Sequence, residues 1–310
     1  MIAKDITVAI VTMSRPALLR TCLTSLIHQT ILPKRIIIID NDPNHSASLI
    51  YNEFKSSLPV EYSIEKKAGV AYARNLALHM CRTKYLAFVD DDCRLDKRWV
   101  EIAIGTMNKT RSIYLLGESL LENQSSIIAE SQFVRQAYWF HYRIPPSKST
   151  NPYIFDTKNV VIRNDYILRN HILFNPEFCI TRYDSSDTDF GFKIHSGRRS
   201  GKFEPNMIVY HKETENIISF IKKAFTRGRL GFLLAQRLKF KNKLLIVKHA
   251  NWRVYFRDAR EYWPQEYPRY VSYMLSRQRI KRLQVFLLIK LYDLLYLRGY
   301  IYQSKIVQTK

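Results

Sequence analysis

The chain lacks any run of about eighteen or more uncharged apolar residues, the length a helix needs to cross a bilayer, so no transmembrane helix is expected in it. Its first residues, Met1-Ile2-Ala3-Lys4-Asp5, lead straight into a strand-like stretch. They lack the charged, apolar and small-residue order of a secretion signal. Cysteine is scarce: Cys22, Cys81, Cys93 and Cys179 are scattered, with no CxxC spacing. That pattern argues against a zinc site or a disulfide framework and suits a reducing cytoplasm. The phosphate-binding glycine patterns GxxxxGK before Ser or Thr, and GxGxxG, are both missing, which removes the usual ATP and dinucleotide sites. There is no internal repeat or low-complexity tract, and no helix-turn-helix, zinc-finger or RNA-recognition signature.

Cationic charge is what the chain has in excess. The 310 residues carry a formal net charge of +22, unevenly placed. Residues 1–192 hold 23 Lys and Arg against 20 Asp and Glu, whereas residues 193–310 hold 26 against 7. With 46% apolar residues overall, a substantial core can form in one large domain or two modest ones. The division expected is a mixed-charge domain over 1–212 and a basic, helix-rich region over 213–310. Such asymmetry points to an anionic partner: a lipid surface, a phosphorylated substrate or nucleic acid.

The most informative stretch is Tyr85-Leu86-Ala87-Phe88-Val89-Asp90-Asp91-Asp92-Cys93. A short apolar run bounded by a polar break reads as a buried strand. Three carboxylates would then stand at the carboxyl edge of a sheet, where open α/β folds bind ligands. Adjacent like charges need a counter-charge, and a divalent cation with oxygen ligands is a natural one. An acidic turn or helix start would account for an isolated triplet equally well.

Ile6 to Val11 reads as the first strand, rich in β-branched residues. Ser14 and Pro16 mark a helix start, and Leu18, Leu19, Cys22, Leu23, Leu26 and Ile27 follow at helical spacing, with Pro33 ending the segment. Arg35 to Asp40 is a second buried strand ending on an acid. A helix over roughly Ser46 to Ser57, a strand from Val60 to Glu65, and a helix from Gly69 to about Met80 lead to the acidic strand. This alternation predicts βαβ units and a mostly parallel sheet. Asp40 would accept from a base, while Arg74 and the Gly69 backbone would meet a diphosphate. The same residues would also serve as a turn cap, a solvated helix residue and a positive-φ position.

Val8–Thr12, Ile38–Asp42, Gly69–Asn75 and Phe88–Asp92 stand in the order and spacing of family 2 inverting glycosyltransferases, and the first third of the chain resembles that family. The resemblance implies a GT-A (Rossmann-like) fold, a nucleotide-sugar donor of UDP or dTDP type, and Mg²⁺ or Mn²⁺ at a DxD motif. By that likeness Asp90 faces the ribose, Asp92 holds the metal, and Thr12 and Asp40 match base-contacting positions. Arg74 matches a diphosphate-side position, and Arg15, Gly69, Asn75 and Asp91 complete the donor-binding set. Further on, Tyr183-Asp184-Ser185-Ser186-Asp187-Thr188-Asp189 is similar to the family's second acidic signature, in which Asp187 matches the catalytic base. Ser186 stands where Glu is usual. An acidic helix N-terminus with a capping serine explains the same residues. Met207 to His211 reads as a short strand. His211 corresponds to a histidine that completes the metal shell in some GT-A enzymes, and an imidazole is equally often structural.

Between these signatures, Trp99, Val100, Ile104 and Met107 suggest a helix and Ile113 to Gly117 a strand. Phe133, Ala137 and Tyr138-Trp139-Phe140 suggest a helix facing core or acceptor, and Pro145 to Thr150 an exposed loop. Thr157 to Asp165 reads as a strand that resembles the one lining the family's acceptor side. From Thr214 onward, Ile217, Ile218, Ile221, Phe225, Leu230, Leu233 and Leu234 interleave with Lys222, Lys223, Arg227, Arg229 and Arg237. A second such segment runs from Arg279 to Tyr302. Basic amphipathic helices suit an interfacial seat on anionic lipid, and their apolar faces would equally pack on one another.

The activity implied is transfer of a sugar to an acceptor hydroxyl with inversion. The acceptor implied is a glycan or lipid-linked precursor of bacterial cell-envelope polysaccharide or lipopolysaccharide. The protein would sit on the cytoplasmic face of the membrane as a peripheral protein. The competing readings are a metal-dependent nucleotidyltransferase, a basic nucleic-acid-binding protein and a non-catalytic scaffold. Nucleic acid is not expected as a partner, because acids at strand ends oppose a phosphate backbone.

Overall fold

The computed structural model describes residues 2–110, 112–138, 140, 155–180, 183–195, 201–237, 271–272, 274 and 279–308. It divides into two compact units. The first comprises Met1–Glu122, Ile144–Arg182 and Ser186–Lys212; the second comprises Asn123–Arg143, Tyr183–Ser185 and Glu213–Lys310. The Pro145–Thr150 segment and Trp139 lie outside the described residues.

In the first unit an eight-stranded sheet is built from β1 (Ile2–Thr12), β2 (Leu32–Asp40), β3 (Val60–Ile64), β4 (Tyr85–Asp90), β5 (Cys93–Leu95), β6 (Tyr114–Leu121), β7 (Asn159–Arg163) and β10 (Lys202–His211). The strand order is β3-β2-β1-β4-β7-β6-β10-β5. Neighbours are parallel except where β7 meets β4 and β6, and where β5 meets β10. Strand β8 (Cys179–Ile180) lies outside that sheet, and β9 (Tyr183–Asp184) falls in the second unit. Helices α1 (Pro16–Ile27), α2 (Ser48–Phe54), α3 (Val70–Met80), α4 (Trp99–Lys109), α6 (Asn164–Arg169) and α7 (Ser186–His195) complete this unit. Ile6–Ile10, Ile36–Asp40 and Tyr85–Val89 are buried residue after residue, not alternately. That is the pattern of strands covered on both faces. It explains why unbroken apolar runs betrayed them in the sequence.

One detail differs from expectation and another was not foreseen. Helix α1 ends at Ile27, and Pro33 lies inside β2, opposite Ala3. The pairing of β1 with β2 is irregular between Ala3 and Thr7, and a strand accepts a proline where ladder hydrogen bonds are interrupted. Asn159, in the strand expected over Thr157 to Asp165, is a buried fastener. Its Oδ1 accepts from Trp99 Nε1 at 2.8 Å, and its Nδ2 donates to the carbonyls of Glu118 (2.7 Å) and Met207 (2.8 Å). Gly117 makes room for it, since a Cβ there would lie 2.3 Å from Asn159 Nδ2.

The second unit is helical: α5 (Ile127–Ala137), α8 (Ile217–Arg237) and α9 (Arg279–Gln308). A linear division at residue 212 would put α5 with the sheet. Instead Val134 and Tyr138 pack with Val285 and Ile289 of α9, and Arg135 bonds Asp293 at 2.8 Å. Phe220 and Ala224 of α8 pack on Tyr292. None of the described helices is long and apolar enough to cross a membrane.

Candidate active site

Parallel register fixes where the strand ends fall. Thr12 lies opposite Asp40, and Val11 opposite Asp90, so three chain segments leave the sheet at one carboxyl edge. There the acidic triplet divides its work. Asp91 is fully buried; its Oδ2 accepts from Thr12 Oγ1 (2.6 Å) and Arg15 Nε (3.1 Å), while Arg15 Nη2 pairs with Oδ1. Asp92 accepts from Arg15 Nη1 at 2.7 Å through Oδ2, and its Oδ1 lies 3.3 Å from His211 Nε2. Asp90 faces the Arg74 guanidinium at 3.8 Å.

Crowding and burial mark these acids. Loss of water pushes Asp91 up to about 7, with Asp92 and Asp90 adding to it and Arg15 and Thr12 opposing. Asp90 is raised above the ordinary carboxylate range, chiefly by desolvation, although part of its side chain still meets solvent; Arg74 opposes the shift.

His211 is set by backbone pairing. It lies opposite Leu121 of β6 and Cys93 of β5, and the next amide, Lys212 N, donates to the Asp92 carbonyl at 2.9 Å. One ligand atom each from Asp92, Cys93 and His211 falls within 4.8 Å of the others. Burial drives the Cys93 thiol well above its ordinary range, with Asp92 and Asp90 adding to it.

Arg74 is buried and lies over the Phe174 ring, 5.5 Å from its centroid. Gly69, at φ +129°, precedes α3 and donates to Asn41 Oδ1 at 3.0 Å. That backbone conformation suits glycine and strains any other residue. Asn41 also donates to the carbonyls of Glu65 and Lys67, both at 2.8 Å, and so fixes the loop before α3.

Two residues expected to bind the donor are also engaged by the fold itself. Asp40 is 0% exposed; it accepts from Asp42 N (3.0 Å), Ala47 N (3.1 Å) and the Tyr62 hydroxyl (2.8 Å). It organises the 42–47 turn. Asn75 clamps the Phe174 backbone through both amide atoms, each at 2.9 Å, because its place on α3 turns it toward that segment.

Asp187 lies in the first turn of α7, half-buried, with Oδ1 accepting from Thr188 N at 2.7 Å. A helix N-terminus favours a negative charge there. Ser186 is fully buried, so the glutamate usual at this place would put a charge out of water. Phe190 of α7 stacks on Phe174 at 4.0 Å, and Phe174 meets Phe88 of β4 edge-on. This aromatic stack ties the helix carrying Asp187 to the ring beneath Arg74 and to the strand ending in Asp90.

Asp156 and Lys158 were not foreseen. Because β7 is antiparallel to β4, the residues preceding it fall at the same edge. Burial would raise Asp156, but Lys158, bonded to it, and His211 outweigh burial and hold it below the ordinary range. Only the direction of β7 reveals them, and the sequence does not show that direction.

The model for Glycosyl transferase family 2 matches residues 7–167, and the chain belongs to that family. Its fold is GT-A. Over 99% of this chain and 92% of the other, it superposes on residues 1–349 of TarS from S. aureus, solved with UDP, at TM-score 0.54 and 16% identity. A mannosyltransferase, PcManGT from Pyrobaculum calidifontis, solved with GDP-Man and Mn²⁺, gives TM-score 0.59 at 14% identity, over 98% of this chain and 88% of that one. At such identities the likeness concerns the fold alone. In sequence the chain is 24% identical to the chondroitin synthase of Escherichia coli in an alignment 272 residues long that covers 77% of this chain and 39% of that protein. It is thus a family 2 glycosyltransferase related to polysaccharide synthases, spanning well under half the length of that relative. Family membership favours sugar transfer over the nucleotidyltransferase and nucleic-acid readings.

Proposed function

We propose that the chain transfers a sugar from a nucleotide-sugar donor, of UDP or dTDP type, to an acceptor hydroxyl with inversion, in the synthesis of bacterial cell-envelope polysaccharide or lipopolysaccharide. The convergence of Asp90, Asp91, Asp92, Arg15, Arg74 and His211 at one sheet edge carries this reading. Asp92 and His211 offer a carboxylate and an imidazole side by side, a donor set that suits Mn²⁺ better than Mg²⁺. A cation bound there supplies positive charge to the departing nucleoside diphosphate. Asp90 faces the ribose, and Arg74, held by Phe174, turns its guanidinium to the diphosphate. Asp187 accepts the proton of the acceptor hydroxyl as its oxygen bonds the anomeric carbon. The bond from that carbon to the diphosphate oxygen breaks, and its electron pair leaves with the nucleotide. Attack from the opposite face inverts the centre. The nucleotides bound by TarS and PcManGT support a nucleotide donor. Calorimetric titration with UDP and dTDP is expected to give saturable binding that Mn²⁺ strengthens. If neither nucleotide binds, with or without Mn²⁺, the donor assignment fails.

The acceptor side of the proposal includes an anionic membrane. Along α9, Ile280, Leu283, Leu287, Leu291 and Leu294 are exposed at spacings of three and four, with Arg279, Arg298 and Lys305 also exposed. An apolar stripe with bases beside it fits the interface of a lipid surface that carries negative charge. The chain should float with phosphatidylglycerol vesicles at low salt and remain below neutral ones. Replacing Leu287 and Leu291 together by Glu should abolish flotation. Flotation unchanged in that variant would remove α9 from the contact.

A further inference from the structure

Arg15 sits where the acidic triplet would meet a cation. Its three guanidinium nitrogens all point at the triplet: Nε at 3.1 Å and Nη2 to Asp91, and Nη1 at 2.7 Å to Asp92. The acids are the fixed partners. Asp91 has no exposed side-chain surface and Asp92 has 13%, whereas the Arg15 side chain is 39% exposed. Asp91 is held a second time by Thr12 at 2.6 Å, and the residue after Asp92 is locked in β5 opposite His211. The Arg15 backbone is equally fixed, because it caps α1 immediately before Pro16. What remains free to move is the long side chain, with its open side toward solvent.

The oxygens of Asp92 are thus divided: Oδ2 takes Arg15, and Oδ1 faces His211. A divalent cation held by Asp92 and His211 would lie next to the guanidinium, and two like charges at that separation repel strongly where water is partly excluded. We infer that Arg15 is a built-in counter-ion that competes with the divalent cation for Asp92, so that cation binding frees its Nη1 for the donor diphosphate while Nε and Nη2 stay on Asp91. This rests on the proposed metal role of Asp92. Arginine suits both positions, since its planar fork matches carboxylate and phosphate alike. The cation and the diphosphate then bind cooperatively: the cation frees Arg15 Nη1, and the diphosphate gives it a new partner.

Mn²⁺ affinity measured by electron paramagnetic resonance, without nucleotide, tests the competition directly. Arg15→Gln should bind Mn²⁺ more tightly than the parent chain, by about 5- to 150-fold, the usual size of a coupling between linked sites. Arg15→Lys keeps the charge and should return the affinity toward that of the parent. UDP should tighten Mn²⁺ binding more in the parent than in Arg15→Gln. Equal or weaker Mn²⁺ binding in Arg15→Gln overturns the competition. Asp92→Ala separates the two levels of the claim. If it binds Mn²⁺ as well as the parent, the metal assignment itself falls; if it alone loses Mn²⁺, only the role of Arg15 is in question. A second measurement needs no folded glutamine variant. In the parent chain the Arg15 Nε–H resonance, assigned by its absence in Arg15→Lys, should shift on titration with diamagnetic Mg²⁺. A resonance unmoved at saturating Mg²⁺ also overturns the proposal.

Discussion

Asp187→Asn is expected to lower turnover by about 10²- to 10⁴-fold, the range that a positioned general base contributes, while leaving the affinity for UDP within about twofold. Asparagine has nearly the shape of aspartate but takes up no proton from the attacking hydroxyl. Its carbonyl oxygen still accepts from Thr188 N, the bond that Asp187 Oδ1 makes at 2.7 Å, so the first turn of α7 stays in place. The Phe190–Phe174 stack, which seats α7, is untouched. The effect should therefore fall on kcat and not on nucleotide binding, which separates loss of a base from loss of structure. Donor consumption with a supplied acceptor, alongside UDP titration, checks both halves. Normal turnover in the variant would remove Asp187 from the chemistry. A parent chain that consumes no donor with any acceptor would revive the scaffold reading.

Asp92→Ala should abolish the strengthening of UDP binding by Mn²⁺. The expected loss is on the order of 10²-fold in affinity at saturating Mn²⁺, since a cation held by Asp92 and His211 would contribute several kcal/mol of charge stabilisation to a diphosphate. Binding without metal should change little, because Arg74 reaches the site independently from α3 and keeps its contact with Asp90. Asp91 remains paired with Thr12 and Arg15, so the buried part of the edge keeps its partners. Titrations with and without Mn²⁺ decide it: a metal effect that survives the substitution would show that Asp92 is no ligand.

Much of this architecture was legible in the sequence, for a physical reason. Strands β1, β2 and β4 are covered on both faces, so their runs of Val, Ile, Leu and Phe could not be mistaken for exposed segments. Parallel register then brought Thr12 and Asp90, both quoted from the sequence, to one edge. What stayed hidden depends on partners distant in the chain. Asp40 reads as a strand-end acid, but only the fold brings up Tyr62 and the Ala47 amide to seal it. Asn75 reads as part of a motif, but its amide meets a backbone 99 residues further on. Asp156 and Lys158 depend on the direction of β7, and the place of α5 depends on α9. The segment read least well, between Leu95 and Thr150, is the one whose ending lies outside the described residues.

Strand β10 keeps one register with β6 over Lys202–Glu204 and another over Ile208–His211, with Pro205 and Asn206 exposed between them. That slack uncouples the two ends of the strand. Residues gained or lost at the Pro205–Asn206 corner would be absorbed as a larger or smaller loop on the solvent side. Sequence drift there can remodel the outer surface of the enzyme while the imidazole of His211 keeps its seat beside Asp92.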